Sequence, residues 1–250
     1  MTDLPEGIFL NFALTALQTS HRRFVIAQGE AVRYPADIAP FAAVAVPTRE
    51  ALRDLRTLLA DDEYIWVTAI DGPDLDSTLA VADLNREITI NVLQMVLPEE
   101  IEPPSPNPAI LTLDCTHAAE MVALTDIAFP GFFRPRTCEM GEYFGIRESD
   151  NPASKLIAMG GERIVFPGYS EISGICTHSN HRGQGHAAQM LWHLARFQRA
   201  KDVVPWLHVT ATNIPAVNLY LKLGFEVVRS IKLYKLAAAQ SAQRGSAFSM

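Results

Sequence analysis

Between residues 170 and 236 the chain alternates strand-like runs with amphipathic helical runs, and that order constrains the fold more than any other feature of the sequence. A run over 170–177 ends in the glycine-bearing loop HSNHRGQG. Ala187, Leu191, Leu194 and Ala195 then mark the buried stripe of a helix reaching about residue 201. A strand over 206–211 follows. Asn213 caps the next helix, whose first turn tolerates Pro215, whose face carries Ala216, Leu219 and Leu223, and which stops at Gly224. A last strand or hairpin over 225–236 closes the series. Strands and helices in this order bury themselves only as a sheet with helices laid on it, an α/β layer architecture.

Upstream, the pattern predicts a short strand at 110–114, a helix at 118–129, and strands at 142–147 and 155–166, the last with a turn or bend at Gly160 and Gly161. Nearer the N-terminus, Thr48 precedes Leu52, Leu55 and Leu59 at helical spacing, which predicts a helix over 48–60, and strands are expected at 23–27, 64–70 and 87–97. The segment 98–108, PEEIEPPSPNP, holds five prolines and two adjacent glutamates, an extended stretch with little capacity to pack. It divides the chain into an N-terminal α/β domain, 1–109, without a chemical motif, and a second domain over 110–236. Residues 237–250, AAAQSAQRGSAFSM, read as a mobile tail. No internal repeat is evident.

Composition narrows the setting. Of 250 residues, 48% are apolar and 20% charged, enough for a sizeable core, and no apolar run approaches the length of a membrane span. The start, MTDLPEGIFL, lacks a basic region before an apolar run, so no secretory signal is expected and a cytoplasmic location follows. Cys115, Cys138 and Cys176 are too few and scattered for a disulfide framework or a zinc site, and are expected as reduced, mostly buried thiols. Residues 1–110 carry 7 basic against 17 acidic side chains, and the remainder 14 against 11. This balance argues against nucleic acid as ligand and places a phosphorylated small molecule in the second half.

Strand, glycine loop and helix in succession suit an anion. Unpaired amides at a helix start point outward, the helix dipole favours negative charge there, and Gly183 and Gly185 allow close approach beside Arg182. The loop lacks the Gly-Lys-Ser/Thr of a nucleotide-binding P-loop and the third glycine of a dinucleotide fingerprint. Arg182, Gly183, Gln184, Gly185, His186 and Ala187 instead fit the Arg/Gln-x-x-Gly-x-Gly/Ala loop of the GNAT acetyltransferases. Asn213, Ala216, Tyr220, Gly224 and Phe225 resemble that superfamily's second signature, in the right order and separation. The second half also bears a looser resemblance to the C-terminal domain of glycine N-acyltransferase-like members.

The resemblance implies a mixed, antiparallel-rich GNAT-type sheet flanked by helices. It leaves room for the smaller preceding domain to be a degenerate copy of the same fold. It further implies acetyl-CoA as co-substrate and acetyl transfer to a primary amine, carried by a small molecule or peptide, in a direct ternary complex. Backbone groups of Ile175, Cys176 and Thr177 would bind the pantetheine arm. The amides of Gly183, Gln184, Gly185, His186, Ala187 and Ala188, with Arg182, would hold the pyrophosphate, Asn213 would contact the coenzyme arm, and Tyr220 would protonate the departing thiolate. Glu171 is the candidate base by its offset from Arg182, and an edge carboxylate in a salt bridge is its competing reading. Strand alternation puts Glu171, Ser173, Ile175 and Thr177 on one face. A non-catalytic acyl-CoA sensor and an enzyme for longer acyl groups are the alternatives. Neither a metal nor a membrane partner is expected, and homodimerisation is left open. His178, His181 and His186 are read as polar loop residues and Cys176 as a packed thiol. Phe129, Phe132 and Phe133 serve either an acceptor pocket or the core, and Glu139, Tyr143 and Arg147 are candidate acceptor contacts.

Overall fold

A computed structural model of the chain describes residues 5–105, 109–128 and 131–239. Residues 106–108 of the proline-rich segment, Phe129 and residues 240–250 of the expected tail lie outside them. The first half runs α1 (Glu6–Leu10), α2 (Phe12–Gln18), β1 (Ile26–Gln28), β2 (Ala31–Arg33), β3 (Ala42–Val44), α3 (Arg49–Thr57), β4 (Tyr64–Val67), α4 (Leu75–Val81) and β5 (Leu84–Val96). The second runs β6 (Leu111–Leu113), α5 (Ala118–Ala128), β7 (Tyr143–Arg147), β8 (Leu156–Phe166), β9 (Tyr169–Thr177), α6 (His186–Arg199), β10 (Val204–Thr210), α7 (Ile214–Lys222) and β11 (Glu226–Ala238). Ala237 and Ala238, expected in the tail, are thus the end of β11, where they pair with Asn85 and Leu84.

Eight strands form one sheet in the order β4-β11-β5-β10-β9-β8-β7-β6, and β1-β2-β3 form a second. Pairing in the large sheet is antiparallel except between β9 and β10, so the sheet is mixed and mostly antiparallel, flanked by helices. It does not stop at the division expected near residue 109. β5, from the first half, pairs with β10 on one side and β11 on the other, and β11 goes on to pair with β4. The two halves share hydrogen-bond ladders, and an extended linker between β5 and β6 is compatible with that.

The topology also exposes a repeat that is not evident in the residues and that the family resemblance left open. The order β3-α3-β4-α4-β5 matches β9-α6-β10-α7-β11, and exchanging the halves carries the central strand order β4-β11-β5-β10 onto itself. The parallel β9–β10 pairing has its counterpart in a parallel bridge between Phe41 and Trp66. Val67, Thr68 and Ala69 stand where Val209, Thr210 and Ala211 stand, and Asp83 after α4 takes a left-handed φ of 54°, as Gly224 after α7 takes 87°. Each half lends its last strand to the other.

Four clusters of buried side chains fill the layers. α2 packs Phe12, Ala16 and Leu17 with Phe41, Phe166 and Trp206; α3 and α4 cover β4 and β11 through Leu52, Leu55 and Leu79. α6 lays Met190, Leu191, Leu194 and Ala195 on Ile172, Leu207 and Met95, while α5 brings Met121 and Leu124 to Met159 and Cys176. β8 continues as a strand through Gly160 and Gly161 without a turn, and the Tyr143 ring occupies the space in which a side chain at 161 would begin. Cys115 and Cys138, expected as free thiols, lie 5.5 Å apart at Cα and are joined in a disulfide between the start of α5 and the turn at Thr137–Glu139. Their separation of 23 residues carried no sequence signal for this pairing.

Candidate functional site

The site begins with a break in the sheet. β9 and β10 run parallel and in register from Tyr169↔Val204 to Ile172↔Leu207, and there their pairing ends, although both strands continue. The cause lies in β9. On its other edge the register with β8 passes from Ser173↔Gly161 to Cys176↔Met159, so three steps on β9 oppose two on β8, a β-bulge. Gly174 supplies the required conformation at φ 67°. Past the bulge, the edge of residues 173–177 facing β10 has no strand partner and presents backbone donors and acceptors to the opening. The bulge also overturns the expected alternation: Ile175 packs with Ile172 on the α6 side, and Cys176 turns to the α5 side.

A cavity of about 210 Å³ occupies this opening. Ser173, Gly174 and Ile175 line one wall, with Val209, Thr210, Asn213 and Tyr220 across from them. The far end is built largely by the first half of the chain, through Phe12, Phe41, Ile90 and Val92. Phe132 also lines it, as one of its two expected roles required, whereas Phe133 packs edge-on against Tyr143 in the core.

Behind the cavity lies a buried polar chain. Glu171, 1% exposed, accepts from Arg163 Nη2 at 2.7 Å and Nε at 3.0 Å and from His208 Nδ1 at 2.9 Å. Burial alone would raise its pKa, but the Arg163 charge and the His208 hydrogen bond outweigh it and hold the carboxylate at about 2. On the other side of the imidazole, Gln94 Nε2 donates to His208 Nε2 at 2.9 Å and to the Phe9 carbonyl at 2.9 Å. The network therefore assigns a neutral imidazole with its proton on Nδ1 and its lone pair on Nε2. Arg163 and His208 both line the cavity, while Glu171 stands behind them.

Tyr220 is half-buried on α7, and burial pushes its phenol up to about 12, so it holds its proton throughout the neutral range. Asn213 caps α7, its side-chain oxygen accepting from the Ala216 amide at 3.4 Å. The loop after β9 lies at the start of α6. Gly183 and Gly185 adopt φ of 78° and 81°, Gly185 is the N-cap, and Arg182, Gly183 and Gln184 are exposed. His186, Ala187 and Ala188 form the half-exposed first turn. An exposed guanidinium, unpaired helix-start amides and an open strand edge in succession fit a long ligand with an anionic end and an amide-bearing arm. Thr177 Oγ1, buried beside this edge, has no hydrogen-bond partner.

Other expected contacts lie elsewhere. Cys176 is buried, and burial drives its thiol up to about 12, which makes it a packing residue. His178 meets Lys155 at 2.8 Å and His181 faces Glu148 at 3.5 Å, and no cluster able to hold a metal ion occurs among the described residues. Glu139 pairs with Arg136, Tyr143 is fully buried and Arg147 is bridged to Glu120, so none of these three lines the cavity. Sequence reasoning missed His208, Arg163 and Gln94. Each stands within a strand pattern that reads as core or edge, and only the three-dimensional pairing of β5, β8, β9 and β10 brings them together.

Comparison with known proteins agrees with this geometry. Residues 116–225 match the model of the acetyltransferase (GNAT) family. A solved structure assigned to the GNAT family, from Novosphingobium aromaticivorans, shares 29% identity over 92% of this chain and 98% of its own, with a TM-score of 0.78. A GCN5-related N-acetyltransferase from Kribbella flavida has the same fold at 19% identity, covering 94% and 96% with a TM-score of 0.62. A tandem GNAT protein from the clavulanic acid biosynthesis pathway aligns over 79% and 75% at 14% identity and a TM-score of 0.51. No curated protein matches the chain, and the family match does not single out the glycine N-acyltransferase-like branch. None of the helices among the described residues is long and apolar enough to cross a membrane. The chain thus has the GNAT fold, and its residues 116–225 match the GNAT acetyltransferase family, a match that supports acyl transfer in general.

Proposed function

We propose that the protein transfers the acetyl group of acetyl-CoA to a primary amine in a direct ternary complex. The observation that carries this reading is the opened β9–β10 edge, with a protonated tyrosine on one side and a neutral, oriented imidazole in the same cavity. The free edge of residues 173–177 would hold the pantetheine arm, and Arg182 with the amides of residues 183–188 the pyrophosphate. Acetyl-CoA supplies the activated acyl group; the protein's residues orient it and move protons.

In the transfer, the amine nitrogen bonds to the thioester carbonyl carbon and the carbon–sulfur bond breaks. His208 takes a proton from the attacking nitrogen on Nε2, directly or through water, as the Gln94 N–H that occupies this lone pair is displaced, and the fixed carboxylate of Glu171 stabilises the imidazolium that forms. Tyr220 gives its proton to the departing sulfur. Glu171 is thereby a positioning residue. Its oxygens are engaged by Arg163 and His208, and at a pKa of about 2 it is too weak a base to hold the proton itself.

The test is release of free CoA thiol from acetyl-CoA across a panel of primary amines, with acetyl-CoA binding measured on the same preparation. Amine-dependent release that falls about 10²-fold or more in His208→Gln, with binding preserved, supports the reading. Tight acetyl-CoA binding without release for any amine would instead make the protein a sensor. Release only from longer acyl-CoAs would reassign the donor.

A further inference from the structure

We infer that the acceptor is a small primary amine on an aromatic or branched apolar body and without a carboxylate, an inference that rests on the acetyl-transfer reading above. Phe12, Phe41, Phe132, Ile90 and Leu233 wall the end of the cavity away from the bulge, and four of these five come from outside residues 116–225. The cavity, at about 210 Å³, is below the roughly 300–1,000 Å³ of drug-sized sites, which favours a small acceptor. The rings are held in place by one another: Phe132 stacks on Trp66 at 5.5 Å, and Phe12 lies 4.7 Å from the His208 ring.

Charge sets the second half of the specificity. Arg163 is a cation lining the cavity, but its Nε and one terminal nitrogen are bound to the two oxygens of Glu171 and its face lies over Phe41 at 5.0 Å. His208 is neutral by its hydrogen bonds. The wall is thus electrically balanced before the acceptor enters, and a carboxylate would bring an uncompensated charge into an apolar space. The same imidazole decides which substrate uses this space. A proton acceptor is needed where the amine nitrogen sits, and Phe12, packed on that imidazole, is where the body bound to the nitrogen lies.

The decisive pair is phenethylamine and phenylalanine, which share a body and differ by the carboxylate, assayed with acetyl-CoA and compared with glycine and methylamine. A kcat/KM for phenethylamine at least tenfold above that of phenylalanine, glycine and methylamine is expected. In Phe132→Ala, KM for phenethylamine should rise about tenfold while the acetyl-CoA dissociation constant stays unchanged. Equal or better use of phenylalanine or glycine would overturn the inference and leave acetyl transfer standing. So would efficient use of glycine with benzoyl-CoA but not acetyl-CoA, which would give the aromatic space to the acyl group. Failure of acetyl-CoA to bind would overturn the parent reading itself.

Discussion

Tyr220 keeps its proton for the same reason that it is half-buried: α7 presents it to a space with little water, where a phenolate would be poorly solvated. A pKa pushed up to about 12 makes it a donor at any working pH, and the neutral His208 is its complement, a group whose Nε2 lone pair accepts from Gln94 and whose Nδ1–H meets a carboxylate. The two sit in one cavity with opposite proton states, the condition for removing one proton and delivering another without changing pH. Tyr220→Phe retains the ring, including its contact with Phe225 at 5.9 Å, and deletes only the hydroxyl. Turnover is expected to fall roughly 10²-fold with acetyl-CoA affinity little changed. Turnover and dissociation constant measured on one folded preparation decide this: normal turnover would remove the acid role.

Among the elements, those with chemical punctuation were legible in the sequence. Thr48 caps α3 by accepting from the Ala51 amide at 3.0 Å, and Asn213 caps α7, so both helices begin where their cap residues place them. α1, α2 and α4 have no cap side-chain hydrogen bond and were not foreseen, since their packing against the sheet rather than a local signal holds them. The loop at 182–188, Asn213 and Tyr220 could be named from their motif. The polar chain of Gln94, His208, Glu171 and Arg163 could not, because it joins β5, the β8–β9 hairpin and β10, which are distant in sequence. The bulge was missed because strict alternation was carried through Gly174, and one extra residue inverts it. Space at Gly174 is ample, with the nearest side-chain atoms 3.7 Å and 3.8 Å from an added Cβ, so its constraint is φ alone. Gly174→Val therefore costs about 1–2 kcal/mol of backbone strain or flattens the bulge. Acetyl-CoA binding by calorimetry should weaken at least tenfold in a variant that still melts cooperatively, and unchanged affinity would show that the opening does not depend on the bulge.

At the scale of the whole molecule, the sheet and the buried polar contacts join the two halves, and both kinds of link can be tested. His21, 2% exposed, bonds Tyr34 in its own half at 2.8 Å and the Met140 carbonyl in the other at 3.0 Å. Burial lowers its pKa from 6.5 to about 4, so between these values the unfolded chain binds a proton that the folded chain refuses. Stability is then complete above pH 6.5 and declines as pH falls towards 4, by roughly 3 kcal/mol for this residue. Denaturant midpoints at pH 7.5 and 4.5 should differ more in the parent protein than in His21→Gln, and equal differences would remove His21 as the cause. The ladders set a harder demand. A fragment of residues 110–250 retains the whole GNAT match, yet it leaves β11 without either partner, since β4 and β5 both belong to the first half. It also uncovers the β10 edge from Trp206 to Thr210 and strips Phe9 and Phe12 from the Trp206 ring. An unpaired edge beside exposed aromatic surface favours association over folding. The fragment alone is expected to be insoluble or to lack a cooperative thermal transition, and co-expression with residues 1–109 should restore a soluble complex that binds acetyl-CoA. A monomeric fragment that melts cooperatively and binds acetyl-CoA as the full chain does would show that the second half completes its own sheet and that the shared strands are dispensable.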